Sequence, residues 1–249
     1  MMKHALHGIY ALIIALSLIS GCGTGPINTE KRDGNYLIIA DLPDVSIAQV
    51  GYKGVAPTVR TIVNRDWSIN SVVGKAIEQV VAERVQGKGI YVDDAEIIHH
   101  LSYGKMLVMR KLDADVAEFI RSKHSTDSID YLVLVTKARL GMSDLSGVGL
   151  RQKDIPFADF HCQFFTAMQL DVYELATGKL LSTLVESQHE DCPVPQYFDD
   201  VTKIDDKALG EIQQRVVCMA TKTANKIARH LLMTDAEKDE FKLRPPGFE

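Results

Sequence analysis

The apolar positions of this chain open with one long run and then fall into short periodic blocks. Ala5 to Leu18 is hydrophobic except for His7, Gly8 and Ser17, and it follows a single basic residue, Lys3. That length suits the core of a secretory signal and is too short to span a bilayer, which needs about 20 apolar residues. Tyr36–Ala40 (YLIIA) and Val45–Tyr52 (VSIAQVGY) are strand-like, the second ending at the turn-prone Lys53-Gly54. From Ser68 to Val85 the spacing predicts a helix. Ile69, Val72, Val73, Ala76, Ile77, Val80 and Val81 share one face, and Gly87-Lys88-Gly89 stops it. Ile90–Val92 reads as a short strand, and Asp93–Arg110 fits neither period. Asp113 can cap a helix running to about Lys123. Tyr131–Thr136 (YLVLVT) is an unbroken apolar run, as expected of a central strand covered on both faces.

Phe160 to Val172 alternates. Phe160, Cys162, Phe164, Met168, Leu170 and Val172 face one side, and His161, Gln163, Gln169 and Asp171 the other. Glu174–Lys179 (ELATGK) is a hairpin turn with Gly178 where positive φ is needed, and Leu180–Gln188 returns. A four-residue loop, Leu175–Gly178, would set Val172 against Leu181 and Met168 against Val185. A three-residue loop would set Ser182 and Glu186 against those apolar residues, so burial favours the longer loop. The last helix carries one stripe of Leu209, Ile212, Val216, Met219, Ala220, Ala224, Ile227 and Leu231, with Glu211, Gln214, Lys222 and Lys226 pointing away. Gly141–Gly149 (GMSDLSGVG) reads as a long connection, a plausible contact surface for a partner. The order β-β-α-(β)-α-β-β-β-α predicts a single α/β domain: a mixed, mostly antiparallel sheet with a late hairpin, packed by helices that include a long C-terminal one.

Composition narrows the class. The chain has 249 residues, 46% hydrophobic and 24% charged, with net charge −5. These are values of a folded domain and exclude collagen-like, long disordered and polytopic membrane chains. The acidic balance argues against nucleic acid as a partner, because counterion displacement from phosphate needs a clustered basic surface. Four Cys are too few for a disulfide-dense mini-scaffold.

Directly behind the first apolar run stands Ile19-Ser20-Gly21-Cys22. This resembles the bacterial lipoprotein signal: an aliphatic residue, a small residue, Gly or Ala, then the modified Cys. The resemblance implies diacylglycerol transfer to Cys22, cleavage after Gly21, and acylation of the new amino group by a fatty acid such as palmitate. In that family an Asp after the Cys retains the protein at the inner membrane. Gly23 stands here, which implies the periplasmic face of the outer membrane. Two or more acyl chains make a stable anchor. The expected divisions are a signal peptide at 1–21, a lipidated tether at 22–35, a periplasmic domain at 36–234 and a tail at 235–249. Gly23–Asn35, thirteen residues without apolar period, would reach at most about 45 Å. With Asp130-Tyr131-Leu132-Val133 as the mid-chain strand and Val172-Tyr173-Glu174 followed by Thr177-Gly178-Lys179 as the late hairpin, the element order over about Tyr36–Leu232 resembles a periplasmic fold. It is that of the curli secretion lipoprotein, the amino-terminal domain of the TolB protein and the lipoprotein activators of penicillin-binding proteins.

The remaining cysteines and histidines offer chemistry of limited specificity. Cys162 lies on the first hairpin strand and Cys192 just past the second. In the favoured register they stand one residue out of step, so a disulfide between them needs a bulge or a strand end. A pair involving Cys218, which falls on the polar face of the last helix, and no disulfide at all are the alternatives. His161, Cys162, His189 and Cys192 could form a zinc set, but His161 and Cys162 point to opposite faces of one strand, so no metal or other cofactor is expected. His99-His100 diverge. His124 and His230 sit at helix C-terminal ends, where the dipole favours a cation. Asp93-Asp94, Asp199-Asp200 and Asp205-Asp206 read mainly as caps. Trp67 reads first as a core or cap residue and second as a partner anchor. With no nucleophile elbow, phosphate loop or zinc-helix motif, the expected function is a non-enzymatic lipoprotein that docks an envelope partner or self-assembles. An envelope hydrolase or metal-dependent enzyme built on His161, His189, Cys192 and the acidic pairs is the alternative. A secretion-pore subunit is a further one; it would need two hairpins with apolar outward faces, and one is legible.

Overall fold

The computed structural model describes residues 32–53, 56–64, 67–103, 111–124, 127–138, 147–153, 161–192 and 203–232. Among them are eight strands: β1 (Tyr36–Asp41), β2 (Val45–Lys53), β3 (Ala56–Asn64), β4 (Gly89–Tyr91), β5 (Tyr131–Lys137), β6 (Gly147–Lys153), β7 (His161–Glu174) and β8 (Leu180–Asp191). The four helices are α1 (Ile69–Arg84), α2 (Ala95–Tyr103), α3 (Ala114–Lys123) and α4 (Asp206–Leu231). The α/β class, the mixed sheet, the late hairpin and the long closing helix are as the periodicity predicts.

All eight strands form one sheet with β7 as its spine. β8 runs antiparallel along one edge of β7. The other edge is shared: β5 pairs with Met168–Glu174 and β6 with His161–Ala167. The sheet therefore has two tiers. The lower tier continues from β5 to β1 and β4, all parallel. The upper continues from β6 to parallel β2 and antiparallel β3. β1 climbs the lower tier and, through Leu42–Asp44, β2 continues in the same direction in the upper one.

One face of both tiers packs on α1 and α4. Tyr36, Ile38, Val133, Val148, Leu150, Phe164, Met168 and Leu170 meet Val73, Ile77 and Val80 of α1 and Ile212, Val216, Ala220 and Ile227 of α4 in one core. On the opposite face of the lower tier, Leu37, Ile39, Leu132, Leu134 and Tyr173 meet Ile97 and Leu101 of α2 and Val116 and Ile120 of α3. β1 and β5 are thus buried on both faces, which is why they read as unbroken apolar runs. Each such fully buried aliphatic side chain contributes about 1.5–3 kcal/mol. Among the described residues the upper tier has no helix on that second face.

Four expectations need correction. The stretch after Lys53-Gly54 contains strand β3, which makes a second hairpin with β2. Pro57 disguises it in sequence, yet β3 is an edge strand, where a missing N–H is tolerated. Gly147–Gly149, read as part of a connection, begins β6. A Cβ on Gly149 would run into the Ser46 carbonyl and the Phe165 ring, so the glycine permits close strand approach. The ambiguous stretch from Asp93 holds α2, capped by Asp94, whose Oδ1 accepts from the Glu96 and Ile97 N–H groups.

The fourth correction concerns the β7–β8 register. The four-residue loop is present: Glu174 N–H donates to the Lys179 carbonyl, and Gly178 has φ +69°. Beyond Tyr173, opposite Leu180, a bulge takes up Leu181. Val172 then faces Ser182, and Met168 faces Glu186. The polar residues so placed are met by α4. Lys226 Nζ lies 3.2 Å from Glu186, and Arg215 lies 3.1 Å from Glu190 and over the Phe164 ring. The burial argument treated the helix face as purely apolar, and α4 brings its own cations there.

Candidate functional site

Gly21 and Cys22 lie outside the described residues. What the structure does describe is how residues 32–35 join the folded body. Asp33 Oδ1 accepts from Gln86 N–H, and Gly34 N–H donates to the Gln86 carbonyl. Asn35 is the node. Its N–H donates to the Asp130 carboxylate at 2.9 Å, and its side-chain amide donates to the carbonyls of Asp127 and Ser128, each at 3.2 Å. Its Oδ1 accepts from Lys88 N–H, and its carbonyl accepts from the N–H groups of Asp130 and Tyr131. One residue thus ties the incoming chain to the α1–β4 turn and to the α3–β5 turn. The Tyr36 hydroxyl donates to the Arg32 carbonyl at 2.6 Å, its ring 4.8 Å from that of Tyr131. Burial, with the phenol of Tyr131 beside it, holds Tyr36 well above the usual tyrosine range. Residues 32–35, read as the end of a linker, are fastened to the folded body.

Cys162 and Cys192 form a disulfide, their Cα atoms 5.4 Å apart, and Cys192 N–H donates to the Cys162 carbonyl. The bulge puts them in step. Cys218 is exposed on α4 with a free thiol. Because the Cys192 sulfur is bonded to Cys162, it is not a ligand in a set with His161 and His189. His161 begins β7, and His189 is exposed opposite Phe165. Among the described residues no group of three or more His, Cys, Asp or Glu side chains is gathered as a metal site.

The other candidates disperse into structural roles. Asp94 caps α2 and lies 2.7 Å from Lys123, whose hydrogen bond holds the Asp94 carboxyl below the usual carboxylate range. Asp113 caps α3, and Asp205 caps α4. Asp199 and Asp200 lie outside the described residues. His124 Nδ1 is 3.2 Å from Asp127, and His230 is 3.9 Å from Glu186. His100 stacks near Phe119. Trp67 is 6% exposed and belongs to the core.

A cleft of about 370 Å³ opens where β1 ends and α1 begins, lined by Leu42–Val45, Trp67–Ser71 and Asp93. Ser68 caps no N–H and has φ +49°, and Asn70 Oδ1 accepts from Leu42 N–H. The lining brings the side chains of Asp44 and Asp93 to the cleft beside those of Ser68, Asn70 and Ser71.

Two buried polar clusters escaped the sequence reading. Thr166 and Thr223 share a hydroxyl–hydroxyl bond of 2.6 Å between β7 and α4. Asp171, 8% exposed, accepts from the Thr183 hydroxyl at 2.6 Å and the Gln169 amide at 2.8 Å. Desolvation raises its carboxyl, and those two bonds lower it in part. Their signal in sequence is a polar residue within an alternating strand, which does not reveal the partner.

No protein-family model matches the chain, and no curated protein sequence matches it. Solved structures resemble it distantly. A protein from Xanthomonas campestris superposes with TM-score 0.42 at 4% identity, over 85% of this chain and 98% of that one. A lipoprotein from Neisseria meningitidis gives TM-score 0.33 at 11% identity, over 77% and 99%. The PelC dodecamer from Paraburkholderia phytofirmans gives TM-score 0.35 at 8% identity, over 84% and 93%.

Proposed function

We propose that this protein is a lipid-anchored component of a bacterial cell envelope, and that its body works by docking a partner protein or further copies of itself rather than by catalysis. The observation that carries the reading is Ile19-Ser20-Gly21-Cys22 directly behind a signal-type apolar run. The Cys162–Cys192 disulfide supports it, since such bonds persist in oxidising compartments. The fastening of Arg32 to Asn35 bears on reach. Ten residue steps from Cys22 to Arg32 extend at most about 35 Å, so the body stays beside the membrane that holds the lipid. Gly23 stands after Cys22 where the lipoproteins that this signal resembles carry Asp for inner-membrane retention, which supports the outer membrane.

Intact-mass measurement of the exported chain tests the anchor. The expected product begins at Cys22 and carries diacylglycerol and an amide-linked acyl chain, and Cys22→Ser leaves the membrane fraction. An unmodified thiol at Cys22 overturns the reading. Docking is tested by recovery from mild detergent, where a reproducible envelope partner or a defined oligomer is expected. Recovery as a lone monomer overturns that part and leaves the anchor standing.

A further inference from the structure

The β7–β8 hairpin carries two register instructions that disagree. At the turn, Leu175–Gly178 sets Glu174 against Lys179 and Tyr173 against Leu180. Continued unbroken, that register would set Val172 against Leu181 and Met168 against Val185. At the far end the Cys162–Cys192 disulfide, with Gln163 against Asp191, imposes pairing displaced by one residue. The bulge between Val172 and Tyr173 absorbs the difference. Two side chains are left badly placed. Ser182 Oγ is buried without a hydrogen-bond partner, and Val185 is 47% exposed.

The turn's own register cures both. Val185 would enter the core against Met168. Ser182 would stand against Asp171, where its hydroxyl could take over the bond that Thr183 now donates. What would be lost are the half-exposed and therefore weak pair Glu190–Arg215, the more buried contacts of Glu186 with Lys226 and His230, and the packing of Leu184 against the core, where Val185 would take its place. Removing the bulge leaves the turn untouched, so no loop must rebuild.

We propose that the Cys162–Cys192 disulfide holds β8 one residue away from the register that its turn and its apolar pattern specify, so that opening the bond lets β8 advance into that register. A dithiol reductant would open it by exchange. The reductant supplies two electrons and two protons, the S–S bond becomes two cysteine thiols, and the reductant leaves as its own disulfide. Every β8 side chain beyond Leu181 then changes face, while Leu181 stays with Val172 on the α4 side. Glu186, Gln188 and Glu190 pass from the α4 side to the outer side of the sheet, so the charge of that surface follows the redox state of one bond.

The test uses the mature chain with Cys218→Ser and a single reporter, Val185→Cys or Glu186→Cys, labelled by a maleimide with and without Cys162→Ser/Cys192→Ser. Without the disulfide, labelling at 185 is expected to slow and at 186 to quicken, each by about tenfold, the factor set by a 1.4 kcal/mol change in exposure equilibrium. Fraying or unfolding of β8 would quicken both, and an unchanged register would alter neither; either result overturns the proposal. The wild-type chain gives a second readout free of serine variants. On reduction, the cross-strand NMR contact of Gln169 with Val185 is expected to give way to one with Leu184, and its persistence overturns the proposal.

Discussion

Asn35→Ala is the most informative single change for how the chain that precedes β1 meets the body. It removes three side-chain hydrogen bonds, to the carbonyls of Asp127 and Ser128 and from Lys88 N–H, and leaves the backbone bonds of residue 35 in place. A net hydrogen bond is worth about 0.5–1.5 kcal/mol, and these sites admit water, so the lower half of that range applies and the loss sums to about 2 kcal/mol. With a urea slope of about 2 kcal/mol/M, the unfolding midpoint should fall by about 1 M. Asn35→Asp keeps the acceptor, loses both donors and sets a second carboxylate beside Asp130. It should destabilise at least as much at neutral pH and recover as the pH falls through the carboxylate range. Lys88→Ala is the control, since Lys88 contributes only its backbone N–H, and such surface changes stay within about 0.5 kcal/mol. A midpoint shift for Asn35→Ala no larger than that of Lys88→Ala would refute the node.

Thr166→Val should lower stability by about 1–3 kcal/mol because the buried Thr223 hydroxyl loses its partner, while Thr166→Val/Thr223→Val should be nearly neutral; urea unfolding of both checks this. Asp171→Asn should raise Tm at pH 7. Desolvation lifts the folded-state carboxyl above its unfolded value, so the native state favours the proton, and stability falls as pH rises from the unfolded value through the folded one. The gain from Asn should vanish below about pH 3.5, where both states hold the proton. Gly74→Ala should destabilise by about 1–3 kcal/mol, outweighing the helix-propensity gain of about 1 kcal/mol, because a Cβ there meets the Tyr91 ring. Gly74→Ala/Tyr91→Ala should lose less than the sum of the single changes.

What the sequence disclosed follows from the range of the forces involved. α1, α4, β1, β5 and β7 are written in local periodicity, and most residues of the helix stripes are buried, among them Val73, Ile77 and Val80 on α1 and Ile212, Val216 and Ala220 on α4, while Val72 and Leu209 are only partly so. β3 and β6 exist because of pairing, and their local signals point elsewhere, to Pro57 in one and Gly147 and Gly149 in the other. The caps Asp113 and Asp205 are legible because they act over three residues or fewer. Asn35 was not, because its partners stand 53 and 92–95 positions away and nothing in GTGPINTEKRDGN distinguishes it from linker. The β7–β8 register was half legible. The loop length and the need for a bulge follow from spacing. The choice between registers goes with the Cys162–Cys192 pairing, which the cysteine spacing left open.

The Asn35 node and the disulfide lie at opposite ends of β7, whose fourteen residues span about 45 Å. They are joined through the turn: Leu175 N–H donates to the Asp130 carbonyl, and Asp130 binds Asn35. A change of register at Cys162 would nevertheless stop at Leu181, because the turn keeps Tyr173 against Leu180 in both registers. The node is therefore insulated from the disulfide despite the continuous path between them. The destabilisations of Asn35→Ala and of Cys162→Ser/Cys192→Ser should add within about 0.5 kcal/mol, as for independent sites. Coupling well above that in urea unfolding would mean that the turn itself moves when β8 does, and that redox state at the top of the sheet is felt at Asn35, where the chain enters the body.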